Sequence, residues 1–192
     1  NEQFKLTMRP EKQRATAPSV KLRILLVDDH PMVRERLAAA IHEEPDLVVC
    51  GEAEDRFSAL ELIEKTEPQL AIVDLTLKQS HGLELIKDIR SRFPDLAILV
   101  VSMHDELLHA ERVIRAGARG YITKQEATDK IMIAIRAVLG GDVYLSEKMA
   151  ARIASGAIGS RRGANTLPVA SLSDRELRVF EMLGQGYNTR QV

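Results

Sequence analysis

The residues of this chain best suited to chemistry stand at the ends of short apolar runs. Asp28, Asp29 and His30 follow Leu22 to Val27, Asp74 follows Leu70 to Val73, Ser102 follows Ala97 to Val101, and Lys124 comes shortly after Gly120-Tyr121-Ile122. Three carboxylates gathered in one place repel one another and raise each other's pKa values unless a cation intervenes. Magnesium is the natural neutraliser, because it takes oxygen ligands, is commonly held by one or two carboxylates, and leaves positions for water and phosphate. Asp29 and Asp74 are expected as direct ligands, with Asp28 direct or through water. An ionised aspartate can also attack phosphorus and form an acyl phosphate. Asp74, on the central run, is the candidate nucleophile, with Lys124 and the metal neutralising the equatorial phosphoryl oxygens and Ser102 donating a hydrogen bond to one of them.

Each residue alone has a plainer reading. Asp28 or Asp29 could cap a helix starting at Pro31, Ser102 could cap the next helix along, and Lys124 could be a surface charge. The functional reading requires that four strand ends meet at one edge of one sheet. The elements to do this are legible. The apolar runs, to which Leu47 to Val49 belongs, are rich in β-branched residues and are continuous rather than alternating, as buried parallel strands require. Between them lie amphipathic stretches: Val33, Leu37 and Ile41 after a first-turn Pro31; Ala59, Leu60 and Ile63 after a capping Asp55; Leu83, Ile86 and Ile89; Glu106 to Ala116 and Ala127 to Leu139, ended by Gly117 and Gly140. Five βα units in an α/β architecture result, and such open sheets place ligands beyond the carboxyl ends of their strands.

Composition bounds the rest. With 192 residues, 45% hydrophobic and 29% charged, the chain suits one domain plus a fragment of another. No apolar run approaches the ~20 residues of a membrane span. Residues 1–20 read as a flexible leader without the apolar centre of a secretory signal, and a cytoplasmic location is expected. The formal charge of -1 gives no global nucleic-acid signature. The single Cys50 has no partner for a disulfide and reads as a small buried hydrophobe. Ser146 to Arg152 could be a short helix, and Ala154 to Ala170, rich in Gly, Ser, Ala and Arg, reads as flexible. Near the end, Ser173 and Glu176 fit a capping box before the stripe Leu177, Phe180, Met182 and Leu183; Gly184 and Gly186 would end that helix, and Asn188 could cap another.

The set Asp28-Asp29, Asp74, Ser102 and Lys124, each on its own strand end, resembles the receiver domain of two-component response regulators. The final segment, with Leu172-Ser173-Asp174-Arg175-Glu176 and Gly186-Tyr187-Asn188, resembles the opening of a LuxR-type helix-turn-helix, the output module of the NarL/FixJ class; Gly141 to Ser146 is similar to what that class carries there. The resemblance implies a flavodoxin-like (βα)5 doubly wound parallel sheet of order 2-1-3-4-5 over residues 21–145, a linker over 146–170, and the start of the DNA-binding module over 171–192, with the recognition helix beyond Val192. It implies a phosphoacceptor at Asp74, phosphate contacts from Ser102 and Lys124, and magnesium held by Asp29, Asp74 and the Thr76 backbone carbonyl. Tyr121 falls at the family's aromatic switch position, and Thr76 and His104 at positions that tune dephosphorylation. A sensor histidine kinase, DNA bound through the complete C-terminal domain, and homodimerisation on phosphorylation are the implied partners. No DNA-contacting residue is assigned.

One departure stands out: Lys78 occupies the place four residues after Asp74 where the family commonly has proline. It predicts a more mobile loop and extra positive charge beside the site. Moving a two-state equilibrium from 1:99 to 99:1 takes roughly 5.5 kcal/mol, whereas one hydrogen bond to a charged group supplies about 1.5–3 kcal/mol. Ser102 alone is therefore too weak a switch. The expectation is that Ser102 moves toward the phosphoryl group and Tyr121 turns inward. Two other functions share part of this pattern. A phosphatase with an aspartyl phosphate intermediate would place its nucleophile after the first strand and add a cap domain, so no turnover of an external substrate is expected. A receiver-like module that binds partners without phosphorylation is the alternative.

Overall fold

The computed structural model describes residues 21–158 and 172–184. The leader, residues 159–170 of the expected linker, residue 171, and the stretch holding Gly186 and Asn188 lie outside the described residues. In chain order the elements are β1 (Leu22–Val27), α1 (Pro31–His42), β2 (Leu47–Ala53), α2 (Arg56–Thr66), β3 (Leu70–Val73), β4 (Thr76–Leu77), β5 (Ser80–His81), α3 (Gly82–Arg92), β6 (Ala97–Ser102), α4 (Glu106–Ala116), β7 (Gly120–Thr123), α5 (Ala127–Leu139), α6 (Glu147–Ile158) and α7 (Asp174–Gly184).

The central sheet has the order β2-β1-β3-β6-β7 with every pairing parallel. This is the doubly wound, flavodoxin-like order predicted from the sequence. Two separate cores explain why the strands read as unbroken apolar runs. Leu25 and Val27 of β1 face the side covered by α2, α3 and α4, with Ala59, Ile63, Ile86, Ile89 and Val113. Ile24 and Leu26 face the side covered by α1 and α5, with Leu37, Ile41, Ile131, Ile135 and Val138. Each fully buried aliphatic side chain of this kind is worth about 1.5–3 kcal/mol relative to exposure.

Register fixes the edge. Val27 pairs with Val73, Val73 with Val100, and Ser102 with Thr123. The ladders continue past the strand ends, since Asp74 N donates to Val27 O at 2.8 Å and Lys124 N to Ser102 O at 2.8 Å. Asp28, Asp74, Ser102 and Lys124 are thus set side by side by backbone bonding before their side chains interact.

The structure departs from the sequence reading in three places. The segment after Asp74 forms a small antiparallel hairpin, β4–β5, turning at Gln79, which takes a left-handed conformation with φ 56°. Gly140 ends α5 as expected, and the left-handed turn falls one residue later at Gly141, φ 93°. Helix α6 runs to Ile158, through residues that read as flexible, because Met149 is fully buried in the α2–α4 core with Leu145 and Ile153 packed against it. In α7, Leu177 is buried, but Phe180 and Leu183 of the same expected stripe are exposed. The capping box itself forms: Ser173 N donates to Glu176 Oε2 at 2.7 Å, and Glu176 N to Ser173 Oγ at 3.3 Å.

Candidate functional site

At the carboxyl edge of the sheet, Lys124 reaches between two acids. Its Nζ lies 2.7 Å from Asp28 Oδ2 and 2.7 Å from Asp74 Oδ2, and all three side chains are at least nine-tenths buried. Burial alone would lower the Lys124 pKa, but hydrogen bonds to the two carboxylates outweigh it and the pKa is raised, so the ammonium is kept. Asp74 Oδ1 accepts from Leu75 N at 2.7 Å. Asp28 Oδ1 accepts from His30 N at 2.9 Å, and the Asp28 carbonyl accepts from Arg34 Nη1 at 2.6 Å. Neither Asp28 nor Asp29 caps α1: the N-cap is His30, without a side-chain cap bond. Asp105, not Ser102, caps α4, its carboxylate accepting from Leu107 N. The plainer readings of these residues are therefore not what the structure uses.

The acid set carries a surplus of negative charge. Ligand atoms of Asp28, Asp29, His30 and Asp74 all lie within 4.8 Å of one another, which is the spacing of one coordination sphere. Asp29 Oδ1 is buried, and the group that faces it is the His30 ring, with Nδ1 at 2.6 Å. With ionised acids, Lys124 leaves two negative charges uncompensated, and the all-oxygen character of the acids suits a hard divalent cation. The residues present therefore fit magnesium.

The hydroxyl side is arranged differently. Ser102 is fully buried at the end of β6. Tyr121 is also buried, its hydroxyl donating to the His104 carbonyl at 2.8 Å. Burial drives the Tyr121 pKa well above its usual value, against an opposing hydrogen bond with Ser102. The inward turn expected of Tyr121 is thus already made in this structure. Thr76 Oγ1 and His104 Nε2 lie 3.0 Å apart, so the two positions expected to tune dephosphorylation touch each other. Thr76 opens β4, whose partner strand leads into α3.

Residues 24–136 match the response regulator receiver domain family. The chain belongs to that family. Among its relatives is the transcriptional activator protein ExaE of Pseudomonas putida, 36% identical over 169 residues that span 88% of this chain and 78% of that protein. A LuxR-family two-component response regulator from Aurantimonas sp. SI85-9A1 superposes with a TM-score of 0.66 at 36% identity, covering 72% of this chain and 99% of the other. The isolated receiver domain of RcsB from Salmonella enterica serovar Typhimurium, solved with the phosphomimetic BeF3-, gives 0.62 at 26% identity and covers 68% and 97%. The chain is thus a response regulator receiver whose relatives are regulators of transcription. No helix among the described residues is long and apolar enough to cross a membrane.

Several residues of this receiver were not read as parts of the site from sequence. A Cβ on Gly82 would stand 2.0 Å from the Asp74 carbonyl oxygen, so α3 can begin against the Asp74 backbone only as glycine. Arg34 pins the loop of Asp28 while its Nε donates to Glu52 Oε2 at 3.0 Å. Glu106, in the first turn of α4, accepts from Ser146 N at 2.9 Å and from the Ser146 hydroxyl. Nothing in a sequence pattern marks such long-range backbone approaches. Lys78 behaves otherwise than predicted: its Nζ pairs with Glu54 Oε1 at 2.8 Å and its N–H donates to the Glu54 carbonyl at 3.0 Å. Its charge is taken by Glu54, and the β4–β5 hairpin is docked on the β2–α2 loop.

Proposed function

We propose that Asp74 accepts a phosphoryl group from a sensor histidine kinase and that the resulting change in the receiver controls transcription through a C-terminal DNA-binding helix-turn-helix. The observation that carries this reading is the ammonium of Lys124 held at 2.7 Å from both Asp28 and Asp74 beside an acid set fit for a divalent ion. Asp74 Oδ2 attacks phosphorus, the bond to the donor's leaving group breaks, and the pocket retains an acyl phosphate. Lys124 then exchanges its bond to the carboxylate for one to a phosphoryl oxygen, and Ser102 donates to another. Magnesium, held by Asp29, Asp74 and the Thr76 carbonyl with Asp28 direct or through water, supplies charge neutralisation for the incoming phosphoryl group.

Ser102 and Tyr121 form the switch. A phosphoryl oxygen that draws the Ser102 hydroxyl away leaves Tyr121 fixed to the His104 carbonyl, which strengthens the link between β7 and the start of α4. Thr76 and His104, in contact, stand over the approach of water and set the acyl phosphate's lifetime. Phosphorylation favours a homodimer, the site of action is the cytoplasm, and the only chemistry is on the protein's own aspartate. Residues 21–145 form the receiver, 146–170 the linker and 171–192 the start of the DNA-binding module.

Intact-mass measurement after acetyl phosphate and Mg2+ tests the chemistry. The native chain is expected to gain one phosphoryl mass and Asp74→Asn none. A native chain that gains nothing, or an Asp74→Asn chain that gains the same mass, ends this reading.

A further inference from the structure

Arg34 has no part in the phosphoryl chemistry just described, yet its side chain is only 17% exposed. It belongs to the first turn of α1, where its N–H donates to the His30 carbonyl at 3.3 Å. Helical side chains lean toward the amino end of their helix, so the guanidinium falls back over the loop that joins β1 to α1. There Nη1 donates to the Asp28 carbonyl at 2.6 Å, and Nε donates to Glu52 Oε2 at 3.0 Å. Glu52 stands in β2 opposite Leu26, next to Ala53, whose carbonyl accepts from Asp28 N at 3.0 Å. The loop is thus fastened to the end of β2 twice, once by backbone and once through this guanidinium.

We propose that Arg34, braced by Glu52, is a positioning residue for phosphoryl transfer: it fixes the peptide between Asp28 and Asp29, and with it the two acids beside Asp74 and Lys124. The inference rests on the reading of Asp74 as phosphoacceptor in a magnesium pocket. The carbonyl that Arg34 holds belongs to the peptide joining the two acids, so a rotation of that peptide turns both carboxylates. Asp28 Oδ2 is in turn 2.7 Å from Lys124 Nζ, which is 2.7 Å from Asp74 Oδ2. A planar guanidinium holds two acceptors in one fixed orientation, and an ammonium does not. Misplacing a reacting constellation by about 1 Å costs up to about a hundredfold in rate. The charge of Arg34 taken alone acts in the opposite sense. A cation beside the acids opposes the approach of Mg2+, so removing the charge without disturbing position would lower the Mg2+ requirement.

The test is the initial rate at which the full chain gains a phosphoryl group from acetyl phosphate, read by intact mass across a Mg2+ titration, with urea unfolding measured alongside. In Arg34→Met the Mg2+ concentration that gives half the maximal rate should rise about tenfold, the lower end of what losing an outer-shell partner costs. Arg34→Lys, which keeps the charge but not the fork, should still need at least about threefold more Mg2+ than the wild type. A Mg2+ requirement that is unchanged or lowered in Arg34→Met overturns the positioning role, even where the unfolding midpoint falls, since a merely structural brace changes stability alone. If Arg34→Met does not fold, Arg34→Lys decides: a Mg2+ requirement equal to that of the wild type overturns the role. In each of these outcomes phosphorylation of the wild-type chain leaves the reading of Asp74 standing. A wild-type chain that gains no phosphoryl mass overturns that reading and the inference together.

Discussion

On one flank of Asp74 stand Asp28, Asp29 and His30, where carboxylates outnumber the ammonium they share; on the other stand Ser102, Tyr121 and His104, joined by hydrogen bonds. The acid flank sets three carboxylates against the one ammonium of Lys124. The hydroxyl flank has its phenol anchored at 2.8 Å to a backbone carbonyl. A flank that lacks a positive charge is built to receive one. A flank whose hydrogen bonds are made is built to pass on a displacement. Unmet charge is worth several kcal/mol and a neutral hydrogen bond about one, so the two flanks should respond very differently to substitution.

Lys124→Met should show the largest effect, because it leaves Asp28 and Asp74 buried together without their shared cation. A loss of about 3 kcal/mol is expected in urea unfolding with EDTA, the order seen when one partner of a buried ion pair is removed. Added Mg2+ should recover part of it. A loss below about 1 kcal/mol would erase the contrast between the flanks. Gly82→Ala comes next. Its methyl group meets the Asp74 carbonyl, so a loss of about 1–3 kcal/mol with slower phosphorylation by acetyl phosphate is expected. Unchanged kinetics would mean that α3 shifts without moving Asp74.

Tyr121→Phe should cost about 1 kcal/mol, with the initial rate of phosphorylation unchanged. It also sharpens the contrast through pH. The folded-state pKa values of Tyr121 and Lys124 are both raised, so the stability each contributes is complete below the unfolded value and lost as pH climbs toward the folded one. The unfolding midpoint should be flat from neutral pH to about 9.5 and fall above about 10. Tyr121→Phe should lessen that fall. An identical alkaline profile would leave Lys124 as its main source, since the raised pKa of Lys78 belongs to an exposed pair with Glu54. Smallest of all, Lys78→Ala should leave both midpoint and phosphorylation at wild-type values, since its ion pair with Glu54 lies in solvent. A clear slowing would show that the hairpin, not only its backbone bond, depends on that pair.

Much of this could be read from residues alone. The strand ends were legible because a run buried on both faces must be apolar until it leaves the sheet, and Asp28, Asp74 and Lys124 mark where it leaves. The β4–β5 hairpin was not, because two-residue strands have no periodicity and Gln79 is no typical left-handed residue. Gly82 was hidden because its constraint comes from backbone eight residues away. The inward Tyr121 was hidden because a rotamer is set by neighbours rather than by type. Helix α6 outran its composition: Ala154, Ser155 and Gly156 suggest a flexible tether, but Met149 anchors the helix in the core.

The carboxylate of Glu106 joins the beginnings of α4 and α6 through two donors on Ser146. Two helices tied at their starts share a pivot, so a tilt of α4 drags α6 along in one sense rather than leaving it to diffuse. A change at the sheet edge that tilts α4 would therefore act on α6 as leverage, with Ser146 as the fulcrum.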